Sequence, residues 1–230
     1  MWSRKSKKLK ESDPNKIHYL RIGKTAGNQI KGICAEIERE NPHIHFRTHG
    51  HEFKLSKLEF GTKYFFSIRH PVSRFTSGFY ERKRRGRDGG NLWSADETQA
   101  FTHFQHAVDL AESIFDSGPQ GIQARAAMRS IQHVRESQSS WFLPHGYFLD
   151  VWPPIWIIRQ ECFDEDVNAF AQRLGVSGDV SFRVSDTVAK VTNYEEYPEL
   201  TELAVRNLER WYSADIFFYE DCALWLDRQL

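Results

Sequence analysis

Ile17-His18-Tyr19-Leu20-Arg21-Ile22-Gly23-Lys24-Thr25-Ala26-Gly27-Asn28-Gln29-Ile30 is the stretch on which the fold turns. Ile17 to Ile22 is rich in β-forming residues. From Asn28 to Glu40 the apolar residues Ile30, Ile33, Cys34 and Ile37 recur at the spacing of one helix face. Strand, short glycine-containing loop and helix form the opening unit of an α/β fold. The free N–H groups at such a helix start, with Lys24 and small residues beside them, make a cradle for a phosphate-like anion. Gly23-Lys24-Thr25 invites comparison with a Walker A loop, but that pattern requires glycine at the position occupied by His18. The loop is shorter than Walker A, so an ATPase is not supported.

The same alternation continues along the chain. His43 to Thr48 alternates in polarity, and Tyr64 to Ile68 is a continuous apolar run, as expected of a strand buried on both faces. Pro71 is placed to open a helix whose apolar face carries Val72, Phe75 and Phe79. Strands separated by helical segments predict a parallel sheet flanked by helices. Ser94 to Glu97 matches a capping box, and helical spacing from Phe101 to Phe115 ends at Gly118-Pro119. A second helix is expected from Gln120 to about Gln138. Ile155 to Ile158 reads as a fourth strand and Asp164 to Leu174 as an amphipathic helix closed by Gly175. Pro198 opens a helix through Leu208 and Trp211, and a last helix follows. The domain expectation is a flexible basic tail over residues 1–15 and one domain over 16–230.

Composition narrows the function. With 40% hydrophobic and 27% charged residues, the 230-residue chain has material for a core and is not of the disordered class. Its net charge is zero, which argues against a bulk polycation on nucleic acid or anionic lipid. The zero conceals an asymmetry: the first ninety residues hold 21 basic and 9 acidic side chains, the remaining 140 hold 10 and 22. A basic half of this kind is expected to handle an anionic ligand. No apolar run reaches the ~18 residues of a membrane span, and the basic start lacks the apolar stretch of a signal peptide. Cys34, Cys162 and Cys222 are odd in number and far apart, which predicts thiols in a reducing compartment and a cytoplasmic location.

The chemistry collects at strand ends, where open parallel sheets bind ligands. Arg69 leaves the Tyr64–Ile68 strand where a guanidinium can pair two anion oxygens, and Ser77 on the next helix can add a hydroxyl donor. A Walker B strand ends in Asp to hold Mg²⁺; this one ends in Arg. The segments Lys24-Thr25-Ala26-Gly27 and Arg69, Pro71, Arg74, Ser77, Tyr80 together resemble the cofactor signature of PAPS-dependent sulfotransferases, especially the Golgi-type carbohydrate branch. His49-Gly50-His51 between them resembles the His-Gly-His of the hexuronyl 2-O-sulfotransferases. Departures are Gly23 for the usual Pro, Asn28 and Gln29 for hydroxyl residues, and His70 for Asp. Diffuse similarity continues over Leu200 to Tyr219, while residues 94–150 match nothing in that branch.

This resemblance implies a P-loop-kinase-like sulfotransferase fold and in-line transfer of a sulfuryl group from PAPS to a hydroxyl, releasing PAP, with no metal required. It places Lys24, Thr25, Ala26, Gly27, Asn28 and Gln29 on the 5′-phosphosulfate and Arg69 and Ser77 on the 3′-phosphate, with Lys190 in a late closing loop. His51 is the expected general base, with His49 sharing or orienting that role in the same pocket, and Lys24 would stabilise the leaving group. The acceptor would be a carbohydrate or another hydroxyl compound, including an anionic one. The basic run Arg82 to Arg87 would hold such a polyanion or form an ordinary charged helix end. No nucleic-acid partner is expected, because aromatic residues do not interleave with that run. Trp141, Trp152 and Trp156 read as core rather than sugar platforms. The rival readings are a P-loop-like nucleotide kinase and a non-catalytic anion- or metal-binding module, the latter suggested by His43, His45, His49 and His51. Oligomeric state is not legible.

Overall fold

The computed structural model describes residues 16–87, 92–143, 147–176 and 196–229. The expected tail and the Lys190 segment lie outside these. Four strands, β1 (Ile17–Leu20), β2 (Phe46–Thr48), β3 (Tyr64–Ile68) and β4 (Trp156–Arg159), form one sheet. Every pairing is parallel and the order is β2-β1-β3-β4. The described helices are α1 (Gly27–Glu40), α2 (Pro71–Arg87), α3 (Ala95–His103), α4 (Ala107–Ser113), α5 (Pro119–Ser130), α6 (Phe148–Val151), α7 (Phe163–Arg173), α8 (Glu202–Trp211) and α9 (Ser213–Asp227). The protein is therefore α/β, with an all-parallel sheet flanked by helices.

Burial follows the sequence pattern closely. All five residues of β3 are buried, as its apolar run requires, and α1 buries Ile30, Ile33, Cys34 and Ile37. Each Ile or Phe among them contributes roughly 1.5–3 kcal/mol by leaving water. One core packs the sheet against residues of α1, α7 and α9. A second joins Phe75 and Phe79 of α2 to Phe101, Leu110, Met128 and Leu208 from the surrounding helices. α2 divides the two. Its opposite face, with Arg74, Ser77 and Glu81 at helical spacing, turns toward the loop after β1.

The middle of the chain departs from its expected form. One helix from Phe101 to Phe115 becomes α3 and α4, because Phe104 is extended (φ −115°, ψ 101°) and buried and the backbone N–H of His106 donates to Asp109. The capping box of Ser94 and Glu97 is present. The helix expected to reach Gln138 stops at Ser130, and His133 turns the backbone into the left-handed region (φ 69°). α8 starts at Glu202, capped by Thr201, rather than at Pro198. Trp141, Trp152 and Trp156 are buried, as expected of core. The three cysteines are free thiols. Among the described residues no helix is long and apolar enough to cross a membrane.

Candidate functional site

Strand order decides where a ligand can lie. The chain leaves β1 toward β2 on one side and returns to β3 on the other, so the loops after β1 and β3 diverge and open a crevice at the carboxyl ends of the strands.

The loop after β1 is held by a buried hydroxyl chain. Tyr19 Oη lies 2.7 Å from Ser67 Oγ, Ser67 Oγ lies 2.7 Å from Thr25 Oγ1, and Thr25 donates to the Ile22 carbonyl at 2.9 Å. The Thr25 side chain is 0% exposed, so its hydroxyl anchors the loop instead of reaching a ligand. Lys24 (φ 71°) and Ala26 (φ 62°) both adopt the left-handed conformation, which is unfavourable for residues other than glycine. Strain of this kind concentrates at functional sites.

Above this loop basic groups gather, with the carboxylates of Glu81 and Glu136 against them. α1 starts at Gly27 with no side-chain cap and no acidic residue in its first turn. Arg21 lies across Gly27, where a Cβ would stand 2.6 Å from its Nε, and its Nη2 donates to Asn28 Oδ1 at 2.8 Å. A guanidinium against the positive end of a helix is the unfavourable sign for the helix dipole unless an anion joins it. Lys24 pairs with Glu81 of α2, and Glu81 also meets Arg85 at 3.1 Å. Lys24 lowers the Glu81 carboxyl against the opposing effect of burial. Arg74 of α2 is buried and donates to the Gly23 and Glu136 carbonyls at 3.0 and 2.7 Å. Arg21 Nε, Arg74 Nη2 and His133 Nδ1 are buried and have no hydrogen-bond partner among the described residues. The two guanidinium nitrogens fit the donor set of an anion site, while His133 Nδ1 faces Glu136 Oε2 at 3.8 Å.

The two histidines of the His49-Gly50-His51 segment separate. His49 is buried, lies 2.8 Å from His18 Nδ1 through its Nε2, and stacks on Phe53 at 3.6 Å. Burial first, then His18 and Arg47, lower its pKa to about 4. His51 turns instead to the Arg21 carbonyl, at 3.1 Å from Nδ1. A carbonyl only accepts, so Nδ1 carries the proton and Nε2 keeps its lone pair. Burial and Arg21 also lower the His51 pKa, which favours the neutral ring with its Nε2 lone pair at the cost of basicity. The two rings do not share one set of partners, His49 packing on His18 and Phe53 and His51 facing the Arg21 carbonyl and His133, because β2 ends at Thr48 and residues 49–51 no longer follow strand geometry.

The loop after β3 is differently equipped. Gln138, fully buried, clamps Arg69 by accepting from its N–H at 3.1 Å and donating to its carbonyl at 2.8 Å. Arg69 Nε donates to Ser73 Oγ at 3.0 Å. Glu161 accepts from the His70 N–H at 2.8 Å and from Ser73 at 3.0 Å, so an internal carboxylate already lies at the start of α2. Ser77 is buried one turn beyond Ser73. Tyr80 serves packing: its hydroxyl accepts from the Ala107 N–H and its ring stacks on Tyr197 at 3.8 Å. Asn28 is exposed and Gln29 half-buried at the α1 start, and Lys190 lies outside the described residues.

No family model, curated protein or solved structure matches the chain. The geometry is thus the ground for assigning function. Among the described residues no group of three or more His, Cys, Asp or Glu side chains is placed to hold a metal. The basic run is partly consumed internally: Arg82 forms a bidentate pair with buried Glu97 at 2.6 Å, and Lys83 donates to Gln105. Arg21, Glu81, His133 and Glu136 are site residues that sequence reasoning missed. Arg21, the penultimate residue of the expected strand, carried the one available signal.

Proposed function

We propose that the chain is a PAPS-dependent sulfotransferase with a P-loop-kinase-like fold, moving a sulfuryl group to the hydroxyl of an acceptor of the carbohydrate class. The observation that carries the reading is His51: a neutral imidazole with its Nδ1 proton fixed on the Arg21 carbonyl, beside a strained, uncapped, cationic loop. A base with an available Nε2 next to an anion cradle is the equipment that hydroxyl activation and group transfer require. The order β2-β1-β3-β4 and the arginine at the end of β3 support the same reading.

In this reading the acceptor oxygen attacks sulfur while the bond from sulfur to the bridging phosphate oxygen breaks. The hydroxyl proton passes to His51 Nε2. Lys24, released from Glu81, and the α1 N–H groups receive the charge that grows on the departing phosphate. Lys24 is worth ~2.7–4 kcal/mol if it acts as one well-placed donor. Arg69 and Ser77 would hold the 3′-phosphate, for which Glu161 must give way at the start of α2.

Transfer of radiolabelled sulfate from PAPS to a panel of glycans and small alcohols, without added metal, tests the reading. Transfer, together with a rise in melting temperature on adding PAP, supports it. At about 100-fold excess over Kd, linkage adds ~2.7 kcal/mol. Absence of both transfer and thermal shift at millimolar PAP overturns it.

A further inference from the structure

The end of the sheet away from the candidate site carries a surface that packing does not explain. All four parallel strands start at that end, which is marked by the His18 N–H donating to the Lys63 carbonyl and the Ile155 N–H donating to that of Tyr64. Trp152 is fastened there. Its Nε1 donates to the Thr62 carbonyl at 3.0 Å, and its own carbonyl accepts from the Tyr64 hydroxyl at 2.7 Å. Phe60 lies against Trp152, with ring centroids 5.3 Å apart, and is nonetheless 70% exposed. Tyr147 and Val151 stand one turn apart at the two ends of α6, which leads into Trp152, and are 85% and 66% exposed. Single exposed apolar residues are ordinary on a protein surface, whereas two aromatic rings and a valine around one tryptophan form a patch.

Lys57 and Lys63 are exposed close to the patch in sequence, as are Glu59 and Asp150, so the folded surface is near neutral. The excess charge comes from the chain that enters here. Residues 1–15 join the fold at Lys16, beside the start of β1, and residues 4–10 hold Arg4, Lys5, Lys7, Lys8 and Lys10, with Glu11 and Asp13 after them. We infer that this end of the sheet is a docking surface for a bilayer that contains anionic lipid. Phe60, Tyr147 and Val151 enter the headgroup boundary, where rings with one wet edge are favoured, and the basic segment is drawn to the headgroup charge. Lying on a bilayer needs no spanning helix, and none is present among the described residues. Stable anchoring takes two such signals, because a few shallow apolar side chains bind weakly and exposed charge is screened beyond ~8 Å at physiological ionic strength. That screening also makes the zero net charge of the whole chain irrelevant to a local attraction. A second copy is the poorer occupant, since a symmetric face-to-face pair brings two basic segments together. The candidate crevice opens at the opposite ends of the strands, about 15 Å away at ~3.3 Å per residue, and stays open to solution. The inference does not depend on the function proposed above.

Co-sedimentation of the full chain with vesicles of phosphatidylcholine alone, and of phosphatidylcholine with about 30% phosphatidylserine, tests the inference at low and high salt. The expected result is binding to the anionic vesicles at least about tenfold stronger than to the neutral ones, falling about tenfold or more between roughly 0.05 and 0.5 M salt. Replacing Arg4, Lys5, Lys7, Lys8 and Lys10 together by Gln lowers binding by about tenfold or more. Phe60→Ser lowers it at least about threefold with the melting temperature unchanged, and Val151→Glu, at a separate exposed position, does the same should Phe60→Ser disturb Trp152. No sedimentation with anionic vesicles at low salt overturns the inference. So does binding that the Gln variant abolishes while Phe60→Ser and Val151→Glu leave it untouched, which assigns the attraction to the basic segment without the folded surface. A lipid-free dimer in analytical ultracentrifugation that Phe60→Ser disperses overturns it in favour of a second copy.

Discussion

The loop after β1 and the loop after β3 both lead a parallel strand into a helix, yet they treat the helix N-terminus in opposite ways. After β1 the helix begins uncapped, on two left-handed residues, with Arg21 and Lys24 nearby and buried donors unmatched. After β3 the helix begins on Pro71 with a carboxylate from Glu161 already seated, and the preceding backbone is clamped by Gln138. Gln138 is itself fixed by buried Asp215, which accepts from the backbone N–H groups of Gln138 and Ser139 at 2.8 and 3.1 Å and from the Ser137 hydroxyl. One loop is left incomplete and the other is completed from within. Sequence motifs assign both to the same ligand, whereas the hydrogen-bond accounting distinguishes a loop with unmatched buried donors from one whose donors meet an internal carboxylate.

The largest expected effect, on the sulfotransferase reading, falls at His51, which follows β2 and faces the loop after β1 through the Arg21 carbonyl. His51→Ala lowers the rate of sulfuryl transfer by about 10²–10⁴-fold while PAP still raises the melting temperature. A variant with full activity would remove His51 as the base and with it the functional half of the contrast.

On the completed side, Asp215→Ala strands the buried Gln138 N–H and the partly buried Ser139 N–H and lowers unfolding free energy by about 2–6 kcal/mol, at ~1–3 kcal/mol for each group. Urea denaturation measures the loss, and sulfate affinity is expected to stay within about threefold of the original. A selective collapse of sulfate binding with stability intact would instead make the loop after β3 part of the ligand site.

The contrast also divides the two histidines by pH. Because the folded-state pKa of His49 is lowered to about 4, the unfolded chain binds a proton that the folded chain refuses between roughly pH 6.5 and 4. Its contribution to stability is therefore complete above pH 6.5 and declines as pH falls toward 4. His49→Gln flattens the melting temperature across this window. The slope left in that variant comes from His51, whose pKa is lowered as well, and toward the acid end from Glu81, Glu97 and Glu136, whose carboxyls are lowered. An unchanged profile would mean that His49 is not held neutral by its burial.

The smallest effect probes the internal competitor at Lys24. Glu81→Gln removes the carboxylate that an incoming anion must displace and tightens sulfate binding by about threefold, in the range of a partly exposed ion pair worth ~0.5–1 kcal/mol. Weaker binding in this variant would show that Glu81 orients Lys24 rather than competing for it.

What the sequence by itself determined was local. The strand-loop-helix unit at Ile17–Glu40, the buried run Tyr64–Ile68, the capping box at Ser94 and the proline start of α2 are each set by contacts a few residues apart, and all are present. Lys24 and His51 were legible for the same reason, as polar residues at the ends of apolar strands. The side each side chain takes was not. Thr25 turns inward to Ser67 of β3 and His49 to His18 of β1, because neighbouring strands supply their partners. Glu81, Glu161 and His133 reach the strand ends from 57 to over 100 residues away in sequence from the groups they meet. Nothing in their local sequence marks them, since a carboxylate or imidazole on a helix or turn reads as an ordinary polar surface residue. Only the parallel sheet order, which brings the loops after β1 and β3 together and packs α2 and the His133 turn against them, decides which charges share the site.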